Sequence, residues 1–210
     1  MSLVFPPQPS SDPSVHKDME AVAALERDAQ LMLRVRQGDE ISFTLLLERH
    51  RGPVVNFLHR MVQNRAVSEE LAQEVFLRVY RSRETYEPTA KFTTWLFRIA
   101  THLALNWIRD GKKETRNESL SEEVSEGMER QVADRQPSVE QTMIYEVKVR
   151  EIRKAIEALP EKQRAAILMH KYQGLDYSQI SGALCCTESA VKSLLFRAYE
   201  TLRSRLAHLA

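Results

Sequence analysis

The residues of this sequence that could do chemistry form one stripe along a predicted helix. At 100° per residue, five side chains share one face of that helix: Trp95, Arg98, His102, Asn106 and Arg109. An aromatic ring can stack on a nucleic-acid base, and guanidinium groups can hold phosphates. The stripe therefore favours nucleic-acid binding. The alternative is that Trp95 only lies at the rim of a core.

The element that positions this stripe is a helix predicted over residues 92–109. Apolar residues recur at helical spacing on its neighbouring side, which we expect to be buried: Phe92, Leu96, Ile99, Leu103 and Trp107. A loop is predicted over residues 86–91, because Pro88 disfavours a helical conformation in the residue before it. Trp95 therefore stands near the start of a helix, directly after a loop.

The C-terminal part of the chain predicts a helix-turn-helix, with the turn at residues 185–186. The last helix has one narrow apolar stripe, made by Val191, Leu195, Ala198, Leu202 and Leu206. Phe196 lies on the opposite side, where a large aromatic residue needs a reason, and Lys192 and Arg197 lie beside it. Such a helix can read a major groove. The alternative is a helix that binds a protein partner or a second copy of the chain.

The other segments are also predicted to be helical. Asp39 caps one helix, and Pro53 starts or kinks a further helix over residues 54–62. Ser68 opens another helix, whose inner line is expected to be Leu71, Val75 and Val79. Three more capping residues are predicted in the helix-turn-helix: Asp176, Gln179 and Thr187.

The composition predicts an all-α protein made of two small helical domains. Of 210 residues, 43% are hydrophobic and only 6 are glycine, and no alternation typical of strands recurs. The net charge is only +1, although many nucleic-acid binders are strongly basic. The charge is segregated, because residues 114–140 are mostly acidic and the C-terminal helices carry an excess of lysine and arginine.

The cellular setting predicted from the sequence is the cytoplasm. The only two cysteines, Cys185 and Cys186, are adjacent, and a disulfide between neighbours is strained, so a reducing compartment fits. No signal peptide and no apolar run of membrane-spanning length is present, so no membrane insertion is expected. His50 and His59 lack the spacing of a zinc pair, and no catalytic or phosphate-binding motif occurs. We therefore expect neither an enzyme nor a cofactor.

Two parts of the sequence resemble bacterial extracytoplasmic-function (group IV) sigma factors, and together they cover most of the chain. The order Phe-x-x-Trp-Leu-x-x-Ile-Ala, which resembles region 2 of that family, is carried by Phe92, Trp95, Leu96, Ile99 and Ala100. The C-terminal unit resembles region 4 of the same family. The matching residues there are Leu159, Pro160, Arg164, Tyr177, Ile180, Val191, Lys192, Ser193, Arg197 and Ala198.

The resemblance implies a protein that binds core RNA polymerase, recognises a promoter at two elements and helps to separate the strands. The residues implied at the −10 element are Lys91, Phe92, Trp95, Arg98, His102 and Asn106. Those implied at the −35 element are Lys192, Ser193, Phe196 and Arg197. Those implied at core polymerase are Leu71, Gln73, Glu74 and Phe76. An anti-sigma factor is a further partner implied by the family.

The domain organisation follows from the same reading. Residues 1–24 are rich in proline and serine and are predicted to be a disordered tail. Residues 25–112 correspond to region 2, residues 113–138 to a flexible acidic linker, and residues 139–210 to region 4. In the family, the loop at residues 86–91 forms a pocket for a base flipped out of the −10 element.

This sequence departs from the family's pattern at several positions. His102 stands where asparagine is usual, so readout of the −10 element could differ and depend on pH. Leu194 replaces a frequent arginine, Cys185 replaces a frequent glycine in the turn, and residues 87–90 lack the usual glycine. A helix-turn-helix regulator with a receiver domain would need strands in the N-terminal half, which the sequence does not show, and an adaptor that binds only protein leaves Trp95 and Phe196 unexplained.

Overall fold

The part of the chain that the computed structural model describes, residues 27–114 and 139–209, contains eight α-helices and no strand. Side chains are described for residues 27–111 and 147–209. The predicted all-α fold is confirmed, whereas the predicted tail and almost all of the predicted linker lie outside the described residues. The helices are α1 (27–36), α2 (Glu40–Val62), α3 (Arg65–Arg81), α4 (Phe92–Glu114), α5 (Val139–Glu157), α6 (Glu161–Tyr172), α7 (Tyr177–Leu184) and α8 (Glu188–Arg205).

Most of the predicted helix starts are confirmed by capping hydrogen bonds. The Ser42 backbone N–H donates to the Asp39 carboxylate over 3.2 Å. Asp176 and Gln179 form the expected capping box at α7, in which each side chain accepts from the other residue's backbone N–H at 2.8 and 2.9 Å. At α8 the Thr187 hydroxyl accepts from the backbone N–H of residue 190. These contacts span only three residues, and the sequence therefore specifies them locally.

Two predicted helix boundaries are wrong. Pro53 neither starts nor interrupts a helix, because α2 runs through it from Glu40 to Val62. A proline inside a helix loses one backbone hydrogen bond, but the apolar residues on either side of it lie on one buried face and keep the helix on the core. The next helix begins at Arg65 and not at Ser68. Its N-cap is Asn64, whose side-chain oxygen accepts a hydrogen bond from the backbone N–H of residue 67. Ser68 is fully buried, and its hydroxyl donates to the Arg65 carbonyl at 2.8 Å.

The helices form two lobes, which we call the N-terminal lobe (α1–α4) and the C-terminal lobe (α5–α8). In the N-terminal lobe α2, α3 and α4 pack on one another. The rings of Phe57 and Phe97 meet edge to face with centroids 5.3 Å apart, which is typical of aromatic pairs. In the C-terminal lobe α6, α7 and α8 bury a second apolar group that includes Leu168, Ile180 and Leu195. Each lobe therefore has its own packed centre.

The two lobes also pack directly against each other. We call this contact the lobe interface: α2 and α4 on the N-terminal side meet α6 and α7 on the C-terminal side. The buried residues of both lobes form one continuous apolar cluster. The sequence predicted two domains joined by a linker, and it gave no sign that one would lie on the other. None of the described helices has the length and apolarity that crossing a membrane would require.

Candidate nucleic-acid interface

Four rings come together at the start of α4 and present Trp95 at the surface. We call His50, Tyr86, Phe92 and Trp95 the ring cluster. The Trp95 ring centroid lies 5.0 Å from that of Tyr86 and 5.9 Å from that of Phe92, and the His50 ring lies 5.3 Å from Phe92. Trp95 is half-buried, so one part of its ring is held by neighbours and another part faces solvent.

One residue predicted to contact DNA cannot do so in this fold. Phe92 has no exposed surface, because it is the first residue of α4 and its side chain inserts between the rings of His50 and Tyr86. Its predicted role is therefore wrong. Phe92 instead packs against the Trp95 ring, and its burial is the one predicted for it as a member of the apolar stripe.

A buried contact between a histidine and a carboxylate lies behind the ring cluster. The His50 imidazole Nε2 and the Asp28 carboxylate are 2.8 Å apart, and both residues are buried. Arg49 also donates to Asp28, so one carboxylate of α1 joins two consecutive side chains of α2. The Tyr86 hydroxyl is buried without a hydrogen-bond partner among the described residues. Burial, and secondly the charge of Asp28, raise the pKa of Tyr86. No local sequence pattern predicts this pair, because its members are 22 residues apart.

Beyond Trp95, α4 carries an open polar face. Arg98 and His102 are exposed, Asn106 is half-buried, and Lys91 is exposed in the preceding loop. The Asn106 amide nitrogen lies 3.3 Å from Nδ1 of His102, so these two side chains form a local pair. The stripe predicted from the sequence is thus present as a surface. The apolar side of the helix is confirmed in its first turns, whereas Trp107 is 38% exposed and its predicted burial is wrong.

A second candidate surface lies on α8 in the C-terminal lobe. Phe196 is 68% exposed, which is far more than a core aromatic would be. Lys192, Ser193 and Arg197 are exposed beside it, and the buried side of the same helix is made by Val191, Leu195 and Ala198, as predicted. The preceding turn places Cys185 in the left-handed region at φ 52°, which is the position where glycine would be relaxed.

The third predicted surface, on α3, is only partly available. Gln73 is exposed, Leu71 is half-buried, and Glu74 is half-buried and paired with Arg78 at 2.7 Å. Phe76 is only 5% exposed, so its predicted contact with a partner is wrong. The buried line of α3 falls on residues 68, 72, 75, 76 and 79. The exposed apolar residue of this surface is Leu77, at 41%.

No other constellation of chemical groups competes with these surfaces in the described ranges. There, no three histidine, cysteine, aspartate or glutamate side chains come together as a metal would require. Cys185 is exposed and Cys186 is half-buried, and both are free thiols.

Comparison with known families matches both lobes. The family model for sigma-70 region 2 matches residues 46–114, and the model for sigma-70 region 4 matches residues 149–202. The chain is 31% identical over 180 residues to the ECF RNA polymerase sigma-E factor of Haemophilus influenzae, covering 85% of this chain and 95% of that protein. It is 30% identical over 180 residues to the sigma-E factor of Escherichia coli K12, covering 85% and 94%. The RNA polymerase sigma-H factor of Pseudomonas aeruginosa is 29% identical over 182 residues, covering 86% and 94%.

Solved structures share the fold over most of the chain. CnrH, solved in complex with the cytosolic domain of CnrY, superposes with a TM-score of 0.65 at 16% identity, covering 88% of this chain and 99% of CnrH. The sigma factor RpoE of Bartonella quintana, solved with the anti-sigma factor NepR, superposes with a TM-score of 0.64 at 18% identity, covering 79% and 96%. The arrangement of helices in this chain therefore occurs in other proteins of very different sequence.

Proposed function

This chain belongs to the ECF RNA polymerase sigma factors of the sigma-70 family, and we propose that its three exposed surfaces divide the family's work between them. As a sigma factor, it binds core RNA polymerase and directs it to promoters. It is a transcription initiation factor, and we propose that it has no catalytic activity of its own and acts in the cytoplasm.

Strand separation at the −10 element is assigned to the ring cluster and the face beyond it. The observation that carries this assignment is that Trp95 rests on Tyr86 and Phe92 while part of its ring stays open to solvent. A fixed ring can stack on a base that leaves the duplex, and stacking offsets the cost of unpairing that base. Arg98 follows Trp95 by three residues and is free to hold the strand's backbone. His102 and Asn106 offer hydrogen-bonding edges further along the helix.

Recognition of the −35 element is assigned to α8. Arg197 can hydrogen-bond a guanine edge, Phe196 can contact a thymine methyl group, and Lys192 can contact a phosphate. All three side chains are exposed on a helix whose opposite side is packed in the lobe. Ser193 shares the surface, and its hydroxyl donates to the Ser189 carbonyl at 3.0 Å, which leaves its oxygen able to accept.

Binding of core polymerase is assigned to the outer side of α3. Gln73 and Leu77 are its exposed residues, with Leu71 and Glu74 at the edge. We further propose that residues 25–112 and 139–210 act as separate modules, joined by residues 113–138, because two family models match the chain on either side of that segment. An anti-sigma factor is a proposed partner, by analogy with the Bartonella quintana protein that was solved with one.

Run-off transcription with core RNA polymerase tests the proposed function. Core enzyme with this chain should give a promoter-dependent transcript, and core enzyme alone should not. A chain that binds core polymerase but never yields such a transcript on any member of a randomised promoter library would refute it.

A further inference from the structure

Two of the rings that hold Trp95 in place come from outside α4. Tyr86 lies in the loop before α4, and its ring centroid is 5.0 Å from that of Trp95. His50 lies on α2 and meets Phe92, the first residue of α4, at 5.3 Å. The Phe92 ring in turn lies 5.9 Å from that of Trp95. The orientation of the Trp95 ring therefore depends on how firmly His50 and Tyr86 are held.

A carboxylate of α1 holds the His50 ring. Nε2 of His50 lies 2.8 Å from the Asp28 carboxylate, and both residues are buried. Arg49, the neighbouring residue on α2, donates to the same carboxylate and balances its charge. A carboxylate paired with an arginine accepts only, so Nε2 of His50 carries the proton and donates it. Hydrogen bonds to a charged group are the strong ones, and the His50 ring cannot turn away without losing this bond.

The same carboxylate acts on Tyr86. The charge of Asp28 adds to burial in raising the pKa of Tyr86, so the phenol stays protonated and the ring stays uncharged. Tyr86 is 4% exposed, and its ring also meets that of Phe92, with centroids 6.4 Å apart. Asp28 thus influences both of the rings that support Trp95 from outside α4, and it does so from a third element of the N-terminal lobe.

A buried carboxylate is not needed to attach α1 to the lobe. That helix already packs on the core through Leu31, Met32 and Val35. Replacing buried charged groups by apolar residues of similar volume is often neutral or stabilising, so the stability of the fold does not account for Asp28. A hydrogen bond differs from apolar packing in having a preferred direction, and it therefore fixes one orientation of the ring that it binds.

We propose that Asp28 and His50 are positioning residues for strand separation, which hold the Trp95 ring through Phe92 in the orientation that stacks on an unpaired base. The inference rests on the proposed function, because that function assigns base stacking to Trp95. Asp28 and His50 themselves do not touch DNA, since both are buried. Their effect is confined to the step in which a base leaves the duplex, and binding through α3 and α8 does not depend on them.

Two substitutions of nearly the same shape test the role of the carboxylate. Asp28→Leu removes the acceptor of the His50 proton, whereas Asp28→Asn keeps an acceptor oxygen. With core polymerase on a duplex promoter, Asp28→Leu should lower the permanganate reactivity of unpaired thymines by at least about 5-fold, because a loosely held Trp95 ring loses stacking. The reactivity with Asp28→Asn should stay close to that of the parent chain. A pre-melted bubble should restore transcription by Asp28→Leu.

The fluorescence of Trp95 reports its orientation in the free chain. The sequence has two tryptophans, so Trp107→Phe leaves Trp95 as the only one. In that background Asp28→Leu should lower the fluorescence anisotropy of Trp95 and increase its quenching by acrylamide. Leu58→Ala is the matched control, because Leu58 is fully buried about two turns further along α2 and lies outside the ring cluster. It should lower the melting temperature and change neither the fluorescence nor strand opening.

The possible outcomes separate this inference from the proposed function. A parent chain that gives no promoter-dependent transcript with core polymerase removes the proposed function, and the inference falls with it. If the parent chain works, the inference is overturned when Asp28→Leu opens duplex DNA equally well, or when it loses opening with unchanged Trp95 fluorescence. It is also overturned when Leu58→Ala loses opening to the same degree.

A second pair of variants covers the case in which Asp28→Leu does not fold. His50→Leu leaves the contact between Asp28 and Arg49 in place, and His50→Gln keeps a donor for the carboxylate. His50→Leu should show the same loss of opening and the same change in Trp95 fluorescence, and His50→Gln should restore part of both. Equal opening by His50→Leu and the parent chain would overturn the inference.

Discussion

Replacement of Trp95 by alanine should impair strand opening and leave promoter binding intact. The ring is packed against Tyr86 and Phe92 on one side, so only one base can stack on the part that remains open. Stacking of one base on an aromatic side chain contributes about 1–3 kcal/mol. If that contribution is made only in the opened state, its loss should reduce the opening equilibrium about 5- to 150-fold.

The variant should remain folded. Removing a fully buried aromatic ring costs about 3–5 kcal/mol, and a half-buried ring costs less, against a total stability of about 5–15 kcal/mol for a typical domain. Trp107→Ala is the matched control. It removes the same type of side chain from the same helix, at a position that is 38% exposed and lies outside the ring cluster.

Permanganate footprinting of unpaired thymines measures opening directly. Holoenzyme with Trp95→Ala should give weak reactivity on a duplex promoter, while Trp107→Ala should match the parent chain. A template with a pre-melted bubble should restore transcription by Trp95→Ala, because the step that needs the ring has then been bypassed. The reasoning is refuted if Trp95→Ala opens duplex DNA as well as the parent does, or if both tryptophan variants lose opening equally.

Three further predictions concern other surfaces. Arg197→Ala should weaken promoter binding by about 1–3 kcal/mol and relax the preference at one base pair. Lys192→Ala should weaken binding to all sequences alike and reduce the salt dependence of the binding constant by about one unit. Equal behaviour of the two variants across a promoter library would contradict this division. Leu77→Ala should weaken binding of core polymerase in a pull-down and leave the melting temperature unchanged, because Leu77 is exposed. Phe76→Ala should lower the free energy of unfolding by about 3–5 kcal/mol, because Phe76 is buried. The reverse pattern in the pull-down and the thermal melt would overturn both assignments. Burial, and then three nearby arginines, lower the pKa of His59, so the stability of the folded chain should fall as the pH drops from about 6.5 through that lowered pKa. His59→Gln should flatten the pH dependence of the melting temperature, and an unchanged slope would refute this prediction.

The features that could be predicted from the sequence are those that depend on residues close together along the chain. Asp39, Asp176 and Thr187 cap their helices through hydrogen bonds that reach only three residues, and periodicity placed the apolar side of α8 correctly. The two wrong boundaries came from residues with more than one possible use. A proline often starts a helix, but α2 runs through Pro53 because the helix packs on the core. A serine often caps a helix, but α3 is capped by Asn64, ahead of Ser68.

The remaining errors concern burial by distant partners. Phe76 was expected at the surface, but it is buried on the same side of α3 as Val75 and Val79, and the lobe interface was not expected at all. Arg164 and the Met61 carbonyl are 103 residues apart, and no pattern within either helix indicates such a contact. The buried pair of Asp28 and His50 escaped for the same reason.

The three sides of α4 explain its residue types. One side is fully apolar, with Leu96 and Ala100 in the core of the N-terminal lobe, and a second side is polar and open, with Arg98 and His102. The third side carries Thr94 and Thr101, which are both buried. Thr94 approaches α7 closely, because a β-carbon added to Gly182 would lie 3.2 Å from its Cγ2. A threonine offers only a small methyl group to such a contact, but both hydroxyls are buried without a hydrogen-bond partner among the described residues, and each costs about 1–3 kcal/mol. The residue types on the three sides of α4 therefore follow from three different surroundings, which are the core of its own lobe, solvent and the neighbouring helix α7.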